Sequence, residues 1–131
     1  MGTRMKSGLV KVMHPLAGPP MIEWPVSAAL EAGVDGCVLV VGHQEEKVRG
    51  HFAGRDEISF AVQSEQLGTG HAVACAMARL PDAARTVLIL CGDTPLLTAG
   101  TLRGMLQAHR QSGAAAHCIA VVLSTRVANR R

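Results

Sequence analysis

Three short stretches of this 131-residue chain combine residue types suited to an anion, a flat polar ring and a hard cation. The first is Gly2-Thr3-Arg4-Met5-Lys6-Ser7, followed by Lys11. A glycine lets backbone N–H groups approach an anion closely, Thr and Ser add hydroxyl donors, and Arg4 with Lys11 can neutralise phosphate charge. Read without context, the same residues also describe a solvated basic tail. The second runs Gln63-Ser64-Glu65-Gln66-Leu67-Gly68-Thr69-Gly70-His71-Ala72. Gln63 offers a donor and an acceptor to an amide-and-carbonyl ring edge, and the glycines open the backbone to a flat ring or an anion. A plain turn with Thr69 capping a helix explains that spacing equally well. The third is Cys91-Gly92-Asp93-Thr94-Pro95. A lone carboxylate just beyond a buried strand suits a phosphate-bound Mg²⁺, since a hard cation accepts one carboxylate plus phosphate oxygens. Asp93 could instead bond its own turn backbone.

The elements that must hold these residues follow from apolar spacing. Residues 1–20 show no sustained period and read as a loop. Positions 21–32 recur near 3.6 and predict a helix entered at Pro20, with Pro25 in its first turn and Gly33 as its stop. Residues 37–41 form an unbroken apolar run ended by Gly42, the pattern of a strand buried on both faces. A short helix over 44–52 places Val48 and Phe52 four apart, and 58–63 alternates as a strand does. A helix over 70–80 ends before Pro81, a second fully apolar strand spans 86–91, a helix covers 98–111 with Gly113 as its stop, and a last strand spans 116–123. Alternating helices and apolar strands predict an α/β layer with a mostly parallel sheet. All three candidate stretches then fall at the carboxyl edge of that sheet, where open parallel sheets bind ligands. The strand that should feed the first loop is missing ahead of it.

Composition narrows the classes. The chain is 48% hydrophobic and 18% charged, so a packed single-domain core is expected. Its longest apolar runs, 37–41, 87–91 and 118–123, fall far short of the roughly 18 residues that cross a bilayer. The N-terminus lacks a signal-peptide apolar region, so a cytoplasmic location is expected. The net charge of +3 is concentrated at the ends: Arg4, Lys6 and Lys11 at one, Arg126, Arg130 and Arg131 at the other. With only Trp24, Phe52 and Phe60 as aromatics, the body lacks the basic, aromatic-interleaved stripe of a nucleic-acid binder. Cys37, Cys75, Cys91 and Cys118 form no C-x-x-C pair and read as reduced, buried, structural thiols rather than zinc ligands. The six histidines show no ligand spacing, and His71 and His109 read as hydrogen-bonded helix residues.

Taken in order, Gly-Thr-Arg-Met-Lys-Ser, Lys-Val-Met-His-Pro-Leu-Ala-Gly, Val-Val-Gly-His-Gln, Gln-Ser-Glu-Gln-Leu-Gly-Thr-Gly-His-Ala and Cys-Gly-Asp-Thr-Pro-Leu resemble the pyrophosphorylase domain of bacterial N-acetylglucosamine-1-phosphate uridylyltransferases. The match runs from about Gly2 to Gly113. The resemblance implies a Rossmann-like nucleotide-diphospho-sugar transferase fold with its first strand missing here. It implies a Mg²⁺-dependent reaction of UTP with N-acetylglucosamine-1-phosphate, giving UDP-N-acetylglucosamine, a precursor of peptidoglycan and lipopolysaccharide, and pyrophosphate. By the same resemblance Arg4 and Lys11 hold the triphosphate, Gly2, Gln63, Gly68 and Thr69 contact the nucleotide, and Asp93 ligates Mg²⁺.

The chain also departs from that pattern. Val10 stands where the family has proline, and Pro19 where it has lysine. After Gly113 the match fades, and the family's Asp-Pro-Thr-Gly-Tyr-Gly-Arg stretch, sugar-contacting residues, second metal ligand and trimerising left-handed β-helix acetyltransferase domain are absent from the 131 residues. Residues 1–131 are accordingly expected to be a partial pyrophosphorylase domain giving little turnover alone. A non-catalytic nucleotide-binding remnant, or a transferase for another sugar phosphate, would share these motifs.

Overall fold

The computed structural model describes residues 10–42 and 45–116. Within them the order is a 3-10 turn Lys11–Met13, α1 Glu23–Glu31, β1 Cys37–Val41, α2 Glu45–His51, β2 Ile58–Val62, α3 Thr69–Met77 and α4 Ala99–Ser112. The expected strand at 116–123 lies, but for Ala116, beyond the described residues, as do the N-terminal loop 1–9, residue 44 at the start of the second helix, and Cys118.

Helix boundaries fall close to the expected ones because local chemistry sets them. Pro25 sits in the first turn of α1, where its missing N–H has no intrahelical partner to lose. After Ala32, Gly33 takes φ 94°. Its N–H reaches the Leu30 carbonyl and that of Val34 reaches Ala29, a Schellman closure that only a glycine makes without strain. Thr98 caps α4 by accepting the Thr101 N–H, and Gly113 ends that helix at φ 63°. In α3 the cap is Gly68, with no side-chain cap bond, and Thr69 is the first helical residue. That helix closes at Met77, short of the expected 80.

β1 and β2 pair in parallel, with Cys37 opposite Ile58 and Val41 opposite Val62. Gly36 permits the close start of that ladder, since a Cβ there would stand 3.1 Å from the Glu57 carbonyl oxygen. α2 forms the crossover, as a parallel pair requires. Two expectations about strands are corrected. β1 is half-buried along most of its length, with only Val41 fully buried, instead of being enclosed on both faces. Residues 86–91 form no ladder with any described strand. Their burial alternates: Leu88 and Leu90 pack on α1 and α4, while Val87 and Ile89 are 43% and 62% exposed. One covered face gives a period of two, and an apolar run becomes a strand only when a neighbour pairs its backbone. Cys91 is likewise exposed, not a buried thiol.

The core has two adjoining parts on either side of α1. Ile22, Val26, Val41, Val48, Phe52 and Ile58 form one, joining α1 and α2 to the sheet. Ala28, Ala29 and Leu102 form the other, where two small side chains on α1 let α4 approach closely. Cys37 packs against both, and burial raises its thiol pKa.

A polar cluster ties these elements together at their rim. One oxygen of Glu23 accepts from Arg55 Nη1 at 2.7 Å and Ser27 Oγ at 3.1 Å, and the other lies 2.7 Å from His51 Nε2. Arg55 also bonds Glu57 at 2.9 Å and lies over the Phe52 ring. Burial works to raise the Glu23 pKa, but the bonds from Arg55, His51 and Ser27 outweigh it and hold the carboxyl below its ordinary value of 4.5. A carboxyl lowered by folding stabilises above its unfolded pKa and loses that contribution as pH falls through the folded one. Glu23→Gln is therefore expected to cost about 1–3 kcal/mol at pH 7 in urea unfolding. The difference between the two proteins should shrink as pH falls below 4.5.

Candidate functional site

Lys11 is positioned by a closed loop. The Met21 N–H reaches the His14 carbonyl, that of Leu16 reaches Pro19, and that of Ile22 reaches Val12, so the 3-10 turn is strapped to the start of α1. Val10, where the related pattern has proline, adopts φ −59°, within the range a proline ring imposes. The loop keeps proline-like geometry without the ring. Pro19, in place of a base, supplies the carbonyl that closes it.

Asp93 comes from the other end of the fold, on the turn Cys91-Gly92-Asp93-Thr94. Thr94 fastens this turn through its N–H and its hydroxyl, both donating to the Cys91 carbonyl. Gly92 lies directly over Val12, 3.4 Å from where a Cβ would stand. That approach brings the two segments together, and Lys11 Nζ donates to Asp93 Oδ2 at 2.5 Å across 82 residues of sequence. The Lys11 ammonium is the main cause that holds the Asp93 carboxyl below its ordinary value. Both side chains are about half exposed, so the pair adds little stability and is open to exchange with solutes.

A second group forms where β2 meets α3. The Gln63 N–H continues the ladder to the Val41 carbonyl, which fixes the residue at the carboxyl end of the sheet. Its side-chain Nε2 donates to the Gly68 carbonyl at 3.1 Å and lies 3.1 Å from His71 Nδ1. Gly68, at φ 94°, bends the chain into α3 while its carbonyl also receives the Ala72 N–H. Thr69 is exposed on the first turn of α3.

The structure thus joins Lys11 with Asp93 and Gln63 with Gly68, two couples each at the carboxyl end of an apolar run. Gly2 and Arg4 lie outside the described residues. Two partners escaped the sequence reading. His71 shares a motif with Gln63, but eight residues of sequence do not show that their side chains meet, and the Glu23 cluster draws on four separated polar residues of ordinary surface type. The alternative role of Thr69 as a helix cap is not realised, since Gly68 holds that position.

Chemically, the first couple offers a half-exposed cation beside an ionised carboxylate. That donor set fits a hard cation shared with phosphate oxygens: one carboxylate, reachable from solvent. Among the described residues no cluster of three His, Cys, Asp or Glu side chains could enclose a metal by itself. The second couple offers an oriented carboxamide on a rigid strand-to-helix turn. Two concavities, of about 540 and 760 Å³, open elsewhere, the first between α1 and residues 95–99, the second between the start of β1 and residues 79–88. The candidate residues occupy an open edge instead. No described helix is long and apolar enough to cross a membrane.

Comparison with known proteins agrees with this architecture. The profile of the MobA-like NTP transferase domain matches residues 1–126. Proteins named Bifunctional protein GlmU from Geobacter metallireducens and Pelobacter propionicus are each 60% identical over 98% of this chain. The chain covers 26% and 27% of their lengths, so it spans about a quarter of these relatives. Among solved structures, a Mycobacterium tuberculosis H37Rv protein in complex with manganese shares the fold at TM-score 0.67 and 23% identity, over 77% of this chain and 53% of that one.

Proposed function

The chain belongs to the MobA-like NTP transferase domain family, and from that premise we propose that it forms the nucleotide-binding part of a UTP:N-acetylglucosamine-1-phosphate uridylyltransferase. What supports the reading is the Gln63–Ala72 motif. It folds as a strand-to-helix turn presenting a tethered amide, in a chain 60% identical to proteins named Bifunctional protein GlmU. In this reading residues 1–131 are part of a pyrophosphorylase domain acting in the cytoplasm.

The transfer needs placement and charge neutralisation more than covalent help from the protein. An oxygen of the sugar 1-phosphate forms a bond to the α-phosphorus of UTP. The bond from that phosphorus to the α–β bridging oxygen breaks, and the electron pair leaves on pyrophosphate. Lys11, with Arg4 seven residues before it, neutralises the triphosphate and the charge gathering on the leaving group. Gln63 and Thr69 hold the uracil side, Gly68 leaves room for the nucleotide, and Gly2 is a further nucleotide contact in this reading. Asp93 would hold Mg²⁺, which when bound would supply positive charge against the charge of the phosphates. The manganese complex of the structural relative is in keeping with a divalent cation in this family.

Calorimetric titration with UTP and MgCl₂ tests the reading. Binding is expected in the wild type, with Gln63→Ala weakening it roughly tenfold, the loss of one or two hydrogen bonds to the base. Tighter binding of CTP or GTP than of UTP would overturn it, as would no binding of UTP.

A further inference from the structure

The Gln63 carboxamide is held on its nitrogen side. Nε2 faces the Gly68 carbonyl at 3.1 Å and His71 Nδ1 at 3.1 Å. The Gly68 carbonyl favours the nitrogen end inward, because the amide oxygen in that place would meet another oxygen, but one bond alone leaves this half-buried side chain able to swing out to water. The second amide hydrogen then points at Nδ1, which accepts it in the neutral tautomer that carries its proton on Nε2. That tautomer has a recipient for the proton: His71 Nε2 lies 3.8 Å from Cys75 Sγ, one turn further along α3. The other tautomer would donate from Nδ1 to the Glu65 carbonyl, 3.1 Å away, a bond the first forgoes, and would leave Gln63 one acceptor short. With both amide hydrogens engaged, Oε1 is the Gln63 atom left for a ligand.

A glutamine free to turn over about its last torsion reads no base in particular, because it presents a donor or an acceptor on demand. A locked one is selective. We propose that His71 is a specificity-determining positioning residue, which holds Gln63 with Oε1 outward so that the site selects a ring bearing an N–H at that edge. Uracil offers N3–H there, whereas cytosine offers a lone pair at N3. The inference rests on the reading of Gln63 as the base contact, and it adds that the discrimination resides one residue behind it.

The test compares UTP and CTP binding by calorimetry, with Mg²⁺, in the wild type, Gln63→Ala, His71→Ala and His71→Asn. Asparagine places an oxygen near the position of Nδ1 and restores the acceptor. The wild type is expected to prefer UTP by about tenfold or more. His71→Ala should cut that preference at least about fivefold while changing UTP affinity less than about threefold, and His71→Asn should recover most of it. Far-UV circular dichroism of each variant verifies that α3 is intact. His71→Ala binding UTP with its preference unchanged overturns the inference. Equal loss of preference in the Ala and Asn variants also overturns it, because a purely structural contribution to α3 gives that pattern. If the wild type shows no preference, or Gln63→Ala leaves UTP binding unaltered, the base-contact reading falls and the inference with it. Those results appear in the wild-type and Gln63 arms, separate from the His71 arms.

Discussion

Asp93→Asn is expected to remove the gain in UTP affinity that Mg²⁺ confers, about 10–100-fold in the wild type relative to titration in EDTA. The substitution keeps the shape of the side chain and deletes its charge. Two consequences of opposite sign follow from the Lys11 contact at 2.5 Å. The cation loses its protein ligand, so the increment due to Mg²⁺ disappears. Lys11 loses its carboxylate partner and is left for phosphate, so affinity in EDTA should hold or rise. A general loss of folding would lower both values together, which separates the two explanations. An Mg²⁺ increment that survives in Asp93→Asn would assign the cation ligand elsewhere.

Phe52→Ala carries the largest expected effect on stability, a loss of about 3–5 kcal/mol in urea or thermal unfolding. Phe52 is 1% exposed and is the largest side chain in the cluster that joins α1 and α2 to the sheet. The His51 ring meets its edge with centroids 4.7 Å apart, and Arg55 lies over its face at 5.3 Å, so the ring also organises the partners of Glu23. Small domains are stable by about 5–15 kcal/mol in total, so this single truncation should leave much of the protein unfolded near physiological temperature. Leu102→Ala should cost somewhat less, about 2–5 kcal/mol. Leu102 is also fully buried, but its neighbours on α1 are Ala28 and Ala29, and α4 can settle toward such small side chains. A loss under about 1 kcal/mol for Phe52→Ala would contradict the role of this cluster as the organising core.

Much of this fold is written in local chemistry. Gly33 and Gly113 mark helix ends because each must turn through a positive φ, and Thr98 marks a start because its hydroxyl accepts a backbone N–H. Where the sequence reading failed, the missing information was relational. Residues 86–91 are as apolar as β1, yet the run does not say whether a neighbour pairs with it, and here only its Leu88 and Leu90 face is covered. The site divides the same way. Gln63, Gly68 and Asp93 were legible as residue types at element ends. That Asp93 would meet Lys11 directly was not, because 82 residues separate them and the approach depends on Gly92 lying over Val12. His71 was passed over as an ordinary helix histidine, since its use depends on which way a neighbouring amide turns.

The Lys11–Asp93 couple has one more consequence, for the order in which ligands bind. A cation that takes Asp93 must first displace an ammonium, and an anion that draws Lys11 away uncovers a carboxylate. Each solute therefore removes an obstacle to the other, and thermodynamic reciprocity makes the two enhancements equal. A cation and a polyphosphate should bind this edge with positive heterotropic cooperativity, even though neither need touch the other's side chain.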